Sequence, residues 1–109
     1  MTRVQCNATA CGYNENQKCC KKHIDVEGLF AKSKIGTFCQ SFKNPHNSET
    51  LMSEMAKEMY PENETTRVEC SANYCAYNEN SLCIAKDITI GNENAKYRSE
   101  TQCDSFKSR

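Results

Sequence analysis

Short stretches in which apolar and polar residues alternate are the main pattern along the chain. Ile88-Thr89-Ile90 alternates with β-branched residues, which favours a strand, and turn-forming residues follow at 91–94. Alternation resumes at 95–99 and leads to Cys103, so we predict a β-hairpin. Ile24-Asp25-Val26 repeats this pattern earlier in the chain. Further short strands are expected at Val4-x-Cys6 and Val68-x-Cys70.

The pattern occurs twice because the chain contains an internal repeat. Residues 2–43 align without a gap on residues 66–107, and 20 of the 42 aligned positions are identical. Identity near one half without a gap indicates that each copy is one structural unit. We therefore divide the chain into a first four-cysteine module (2–43), an acidic connector (44–65) and a second four-cysteine module (66–109).

The connector has a helical period instead. Apolar side chains recur at helical spacing at Leu51, Met52, Met55 and Met59, and Pro61 ends the pattern. This predicts a short amphipathic helix, which needs a surface to pack against because isolated helices of this length are marginal. Two interpretations stay open. The helix packs on the modules, or its methionine face is a contact of a homo-oligomer, since methionine surfaces are adaptable.

Composition excludes a large apolar core. Ile, Leu, Val and Phe account for 15 of the 109 residues, whereas nine residues are cysteine. A module of this size is rarely stable on hydrophobic burial alone. No apolar run approaches the roughly 20 residues of a membrane span, and the N-terminus lacks a signal-peptide pattern, so a cytoplasmic location is expected. Fourteen basic and fourteen acidic residues argue against nucleic-acid binding.

The cysteines form two sets with the same spacing, C-x4-C-x7-C-x19-C. The candidate ligands are Cys6, Cys11, Cys19 and Cys39 in the first module and Cys70, Cys75, Cys83 and Cys103 in the second. One Zn²⁺ held by four thiolates in each module, two per chain, fits such a set. Two disulfides per module fit it as well, in a structural protein of a coat or surface layer. An iron–sulfur cluster fits less well because its usual C-x2-C spacings are absent. A reducing cytosol favours zinc.

Other candidate residues carry weaker signals. Cys20 aligns with Ile84 and is predicted to be a small buried apolar residue. His23 and His46 have no histidine counterparts in the second module and are predicted to be surface residues rather than ligands. We find no recognisable triad, P-loop or HExxH pattern, and zinc held by four thiolates leaves no open position for water. The sequence therefore predicts a protein that is not an enzyme.

Both modules share a longer motif. It runs C-x4-C-x-Y-N-x4-C, then I-x-[IV], and ends in T-x-C-x-S-F. The motif resembles the bacterial family called domain of unknown function 1540, which often occurs as tandem copies in spore formers. The resemblance implies metal binding through the eight cysteines and an association with spores. The predicted fold class is a small α+β protein stabilised by metal or disulfides, with two mostly-β modules joined by a helical connector.

Overall fold

The protein is described from a computed structural model, and the described residues are 2–45, 59 and 65–109. They form short strands, each matched by a strand of the other module. The bounds are β1 Arg3–Cys6, β2 Asn14–Glu15, β3 Lys18–Cys19, β4 His23–Glu27, β5 Phe38–Cys39, β6 Arg67–Cys70, β7 Asn78–Glu79, β8 Leu82–Cys83, β9 Asp87–Gly91 and β10 Gln102–Cys103.

The two sheets do not coincide with the two modules. The first sheet has the order β10-β9-β1-β3-β2, and the second has the order β5-β4-β6-β8-β7. Each sheet thus combines three strands from the N-terminal half of one module with the two-stranded hairpin of the other. The expectation that each copy is a structural unit of its own is wrong in this respect, because the backbone pairing of each module is completed by its neighbour.

A parallel pair of strands joins the modules within each sheet. In the first sheet β1 pairs with β9, and in the second β4 pairs with β6. The modules also meet where Thr2 and Thr66, which are equivalent in the repeat, exchange backbone hydrogen bonds of 3.0 and 2.6 Å. Both threonines are almost completely buried. Their hydroxyls donate to the carbonyls of Ala85 and Lys21, respectively, so the polar groups of this contact are satisfied.

Alternation along the strands builds one core from both modules. In β1 and β6 every second side chain is buried, and in β4 Ile24 and Val26 are buried between partly exposed neighbours. Ile88 and Ile90 of β9 are buried in the same way. These side chains and the cysteines belong to a single apolar cluster. A core that neither module could fill by itself is therefore shared.

The predicted α+β class is wrong for the described residues. They contain strands and two short 3-10 turns, Lys34–Gly36 and Arg98–Glu100, and no α-helix. The turn at Arg98–Glu100 also replaces most of the return strand predicted at 95–99, and only Gln102–Cys103 pairs back on β9. No helix of the described residues is long and apolar enough to cross a membrane.

The predictions of a helical connector and of self-association through its apolar face are also wrong at Met59, the described residue that tests them. Met59 forms an isolated antiparallel bridge with Lys21 and packs, partly buried, against the core of its own chain. An extended residue that lies on its own core presents no helical face to a second copy. Leu51, Met52 and Met55 lie outside the described residues.

Candidate metal centre

The first quartet of cysteines, Cys6, Cys11, Cys19 and Cys39, takes residues from both sheets. Cys6 lies on β1 and Cys19 on β3, both in the first sheet, whereas Cys39 lies on β5 in the second sheet. Cys11 follows β1 in a loop. All four side chains are buried. The quartet therefore connects the two sheets at one end of the shared core.

The second quartet, Cys70, Cys75, Cys83 and Cys103, has the same arrangement with the sheets exchanged. Cys70 and Cys83 lie on β6 and β8 of the second sheet, and Cys103 lies on β10 of the first. Cys83 is partly buried and the other three are buried. No disulfide bond joins any of the nine cysteines, all of which lie in the described part of the chain.

Each quartet lines a small cavity. The first cavity, about 20 Å³, is bounded by the four cysteines together with Tyr13 and Phe42. The second, about 10 Å³, is bounded by its four cysteines together with Tyr77 and Phe106. Spaces of this size hold one ion or one water molecule at most. The aromatic residues that cover them are at equivalent positions in the repeat.

Burial raises the pKa of seven quartet thiols, Cys6, Cys11, Cys19, Cys39, Cys70, Cys83 and Cys103, and so favours their protonated form. Removal from water raises the pKa of Cys19 to about 12, and the neighbouring sulfurs of the quartet raise it further. Burial likewise raises the pKa of Cys103 to about 12. The pKa of Cys39, the most deeply buried, is also raised, first by burial and then by Cys19 and Cys11. A thiolate in such a place needs a positive partner, and a metal ion supplies one.

Backbone N–H groups partly offset this burial. In seven of the eight quartet positions, the backbone of the residue two places further along the chain hydrogen-bonds the sulfur and lowers the thiol pKa. The pairs are Cys6–Ala8, Cys11–Tyr13, Cys19–Lys21, Cys39–Ser41, Cys70–Ala72, Cys83–Ala85 and Cys103–Ser105. Hydrogen bonds to the charged form favour thiolate. The loops after these cysteines therefore place backbone N–H groups where they stabilise a thiolate.

An asparagine holds the loop after the first cysteine of each quartet. The Asn78 amide donates to the carbonyls of Cys70 and Ala72 at 2.8 and 3.0 Å, and its oxygen accepts from the Ser81 backbone N–H at 3.1 Å. Asn14 makes the same three contacts in the first module. Both modules therefore use one amide side chain to fix the loop that carries the Ala72 or Ala8 N–H.

A threonine from each module supports the last cysteine of the other quartet. The Cys39 backbone N–H donates to the Thr101 hydroxyl at 2.8 Å, and the Cys103 N–H donates to the Thr37 hydroxyl at 2.8 Å. Each hydroxyl in turn donates to a carbonyl of its own module, at 2.6 to 2.7 Å. Both threonines are buried. The two quartets are thus linked through a reciprocal pair of hydrogen bonds.

The first quartet has a cation that the second lacks. The Lys21 ammonium lowers the pKa of Cys11, a smaller effect than the burial that raises it. It lies 5.4 Å from the centre of the Tyr13 ring and donates to the His23 carbonyl at 2.8 Å. The aligned residue of the second module is Ala85. Negative charge on the sulfurs would therefore be better compensated in the first module.

The donor sets fit zinc in chemistry, and their geometry requires a contraction. Four thiols around one small cavity are the donors that zinc prefers in structural sites. At a Zn–S distance of about 2.3 Å, the sulfurs of a tetrahedral site lie about 3.8 Å apart. Among the described residues, no three cysteine sulfurs lie within 4.8 Å of one another. Metal binding would therefore draw each quartet inward and close its cavity.

The structure brings each predicted set of four cysteines to one place. Sequence reasoning missed the two asparagines, Asn14 and Asn78, and the two threonines, Thr37 and Thr101, as supporting residues. Their signal was available, since each pair is identical between the modules. Cys20 is buried as predicted, and its thiol lies 3.6 Å from a Glu15 carboxylate oxygen.

Comparison with known proteins leads to a family. Neither the curated proteins nor the solved structures compared with the chain gave a match. A family model matches twice, at residues 4–42 and 68–106, and each match contains one complete quartet. Together the two matches cover well over half of the chain. The chain therefore belongs to the family described as Domain of Unknown Function (DUF1540), of which it carries two copies in tandem.

Proposed function

We propose that this tandem, cysteine-rich protein is a non-enzymatic zinc-binding protein. Each quartet binds one Zn²⁺ through four thiolates, so the chain binds two. The zinc ions replace the large apolar core that the composition cannot provide, and their binding free energy becomes folding free energy. The observation that carries the proposal is that the four cysteines of each quartet line one ion-sized cavity.

The surroundings of the sulfurs support this proposal. Seven of the eight receive a backbone hydrogen bond from the second residue along the chain, which stabilises the thiolate that zinc requires. A quartet that spans two sheets also places the metal where it contributes most to stability. Bound zinc would tie β1 and β3 to β5 in one quartet, and β6 and β8 to β10 in the other.

A structural role follows from the number of ligands. Catalytic zinc keeps one coordination position for water or substrate, whereas four thiolates fill the tetrahedron. The aromatic side chains of Phe42 and Phe106 line the two cavities beside the cysteines. We therefore propose that the protein acts through the surface it presents, with zinc holding that surface in shape.

Elemental analysis with thiol counting tests the proposal. The protein purified without reductant should contain about two zinc ions per chain. Its quartet thiols should react with a thiol reagent slowly before chelation and fully after it. Absence of zinc together with one or no reactive thiol in the denatured, unreduced chain would contradict the proposal and favour the disulfide-bonded structural protein.

Two serine variants sharpen the test. Cys39→Ser removes a quartet ligand, so the zinc content should fall by about one ion per chain. Cys20→Ser is the matched control, because Cys20 is buried to a similar extent but lies outside both quartets. It should retain the zinc content of the parent chain. Equal loss of zinc in both variants would show that the quartet is not the binding set.

The cellular location is proposed from the family resemblance. We propose that the protein is made in the cytoplasm of a spore-forming bacterium and is retained in the spore. Fractionation of sporulating cells, followed by detection with a specific antibody, tests this. Recovery only from the culture medium would contradict it and would favour the disulfide-bonded form.

A further inference from the structure

Three potential metal ligands other than the quartet cysteines meet on the solvent face of the β4–β6 seam. The strands are parallel and in register, so Asp25 lies beside Glu69, and His23 precedes Asp25 on the same face. His23 Nε2 lies 3.3 Å from a carboxylate oxygen of Asp25 and 3.4 Å from one of Glu69. The three ligand atoms all lie within 4.8 Å of one another.

The central atom of this cluster contacts two carboxylates but forms no hydrogen bond. The His23 ring is partly exposed, yet its Nε2 atom is buried and has no hydrogen-bond partner among the described residues. The two carboxylates are near enough but do not have hydrogen-bonding geometry with it. A buried polar atom without a partner is uncommon in a native protein, and the binding of an ion is one of its recognised explanations.

The equivalent seam in the first sheet lacks these ligands. There β1 and β9 pair in the same register, with Gln5 beside Thr89 and with Asp87 in the position of the histidine. Asp87 forms an ion pair with Arg3 at 2.9 Å. The parallel seam therefore folds without a His-Asp-Glu set, so strand pairing does not explain the presence of that set in the second sheet.

We propose that His23, Asp25 and Glu69 bind a third divalent cation of the zinc type at the seam between the modules. Imidazole nitrogen and carboxylate oxygen are both zinc ligands, and a site with three protein ligands keeps the fourth position open. With Zn–N and Zn–O distances of about 2.0–2.2 Å, the ligand atoms of a tetrahedral site lie about 3.3–3.6 Å apart. The two measured separations, 3.3 and 3.4 Å, match these edges.

Charged groups of both signs adjoin the cluster. The Arg67 guanidinium lies 3.6 Å from the other carboxylate oxygen of Glu69, which leaves Oε2 facing His23. An open groove adjoins the site and is lined by Asp25, Glu69 and the further carboxylate of Glu27. Its acidic lining would attract a hydrated cation to this face.

The site would clamp one module to the other. His23 and Asp25 belong to the first module and Glu69 to the second, so the cation bridges the two strands through which the modules join. The prediction that His23 is a surface residue without a ligand role is replaced by this proposal. The two modules have different residues at these three positions. Aligning the modules therefore does not reveal that His23, Asp25 and Glu69 lie close together.

Zinc binding to the full chain tests the proposal. After equilibrium dialysis against buffered free Zn²⁺, the parent chain should hold about one ion more than Glu69→Gln. Glutamine already occupies the equivalent position as Gln5, so the fold accepts it. Asp25→Thr, which copies the equivalent Thr89, should lose the same ion. Equal zinc contents in the parent chain and both variants would overturn the proposal.

A Co²⁺ titration separates this site from the quartets. Thiolate ligands give cobalt an intense sulfur-to-metal charge-transfer band, whereas a site of nitrogen and oxygen ligands does not. Glu69→Gln should keep that band and lose only the additional cobalt. The His23 ring signals in the NMR spectrum should shift with Zn²⁺ in the parent chain and not in this variant. Unshifted His23 signals in the parent chain would overturn the proposal, whatever the quartets bind.

A gain-of-site variant completes the design. Changing the first-sheet seam by Gln5→Glu, Asp87→His and Thr89→Asp copies the three ligands onto strands of the same register. That triple variant should bind about one additional zinc ion per chain. A folded variant that keeps its quartet metal but binds no additional zinc would show that parallel register and ligand identity are not sufficient. That result would overturn the geometric argument.

Discussion

At the scale of single residues, small polar side chains carry much of the organisation around the cysteines. Asn78 is buried, and both the NH2 group and the oxygen of its amide hydrogen-bond the backbone of the loop between Cys70 and Ser81. A polar group is used there because a buried loop leaves backbone carbonyls and N–H groups that need partners. The same reasoning accounts for Asn14 in the first module.

We predict that Asn78→Ala destabilises the protein by about 2–4 kcal/mol, because three hydrogen bonds are lost and buried carbonyls lose their donor. Urea unfolding of the reduced, zinc-supplemented protein measures this difference. Asn73→Ala is the control, since Asn73 is exposed in the same loop, and it should unfold at the urea concentration of the parent chain. A similar small loss in both variants would contradict the proposed role of the Asn78 amide.

The buried thiols predict a pH dependence of the metal-free chain. Burial raises the pKa of Cys19 and of Cys103 from the ordinary value of 9.0 to about 12. A raised pKa means that the folded state holds the proton more tightly, so this contribution is fully present below pH 9 and is lost as the pH rises toward 12. The thermal midpoint of the chelated, reduced chain should therefore fall above pH 9.

The Cys19→Ser variant is the control for this pH dependence, because serine does not titrate in that range. Its thermal midpoint in the metal-free state should fall less steeply above pH 9 than that of the parent chain. A midpoint that stays constant to pH 11 in the parent chain would contradict the assignment of these thiols as buried and protonated.

At the scale of elements, the tight hairpins place the third cysteine of each quartet. Asn80 and Ser81 have φ values of 53° and 66° between β7 and β8, and Asn16 and Gln17 have nearly the same values between β2 and β3. Two successive residues with positive φ form the turn that matches the twist of a two-residue hairpin. The turn brings Cys83 of β8 next to β6 and so toward Cys70.

We predict that Ser81→Gly is neutral or stabilising by up to about 1 kcal/mol, because glycine adopts a positive φ without strain. Ser81→Val should cost about 1–2 kcal/mol, since a β-branched residue is strained in the left-handed region. The backbone hydrogen bond from Cys70 N–H to Ser81 carbonyl is available in both variants. Thermal unfolding compares them, and equal midpoints would contradict the turn conformation.

At the scale of the whole molecule, the two modules form one cooperative unit. Each sheet contains strands of both modules. The last cysteine of each quartet lies in the sheet to which the other module contributes three strands. The buried hydroxyls of Thr37 and Thr101 cross-link the quartets. Unfolding one module therefore removes strands and hydrogen bonds from the other.

We predict that Thr101→Val, a change in the second module, weakens the first quartet. The variant leaves the buried Cys39 N–H without an acceptor, which costs about 1–3 kcal/mol. Thiol labelling resolved to single cysteines should show Cys39 of the metal-free variant reacting faster than Cys39 of the metal-free parent chain. Thr9→Val, at an exposed position of the first module, is the control and should leave this reactivity unchanged.

Local sequence was sufficient for much of the candidate site and for short strands. The prediction of strands around Ile24 and Ile88 is confirmed, because a β-branched alternating stretch with one buried face specifies its own conformation. The helical prediction at Met59 is wrong. An amphipathic pattern indicates which side chains are buried, but it does not fix the backbone conformation that buries them. Met59 achieves its burial by a β-bridge on its own core.

The sequence by itself determined that there are two equivalent sets of four cysteines, since a gap-free repeat preserves spacing without reference to a partner. Only the tertiary structure decided which strands pair. Two copies of one module offer nearly identical edges, so the local pattern does not distinguish pairing within a copy from pairing between copies. Long-range register then placed β4 beside β6, and that register alone assembled His23, Asp25 and Glu69 from two modules.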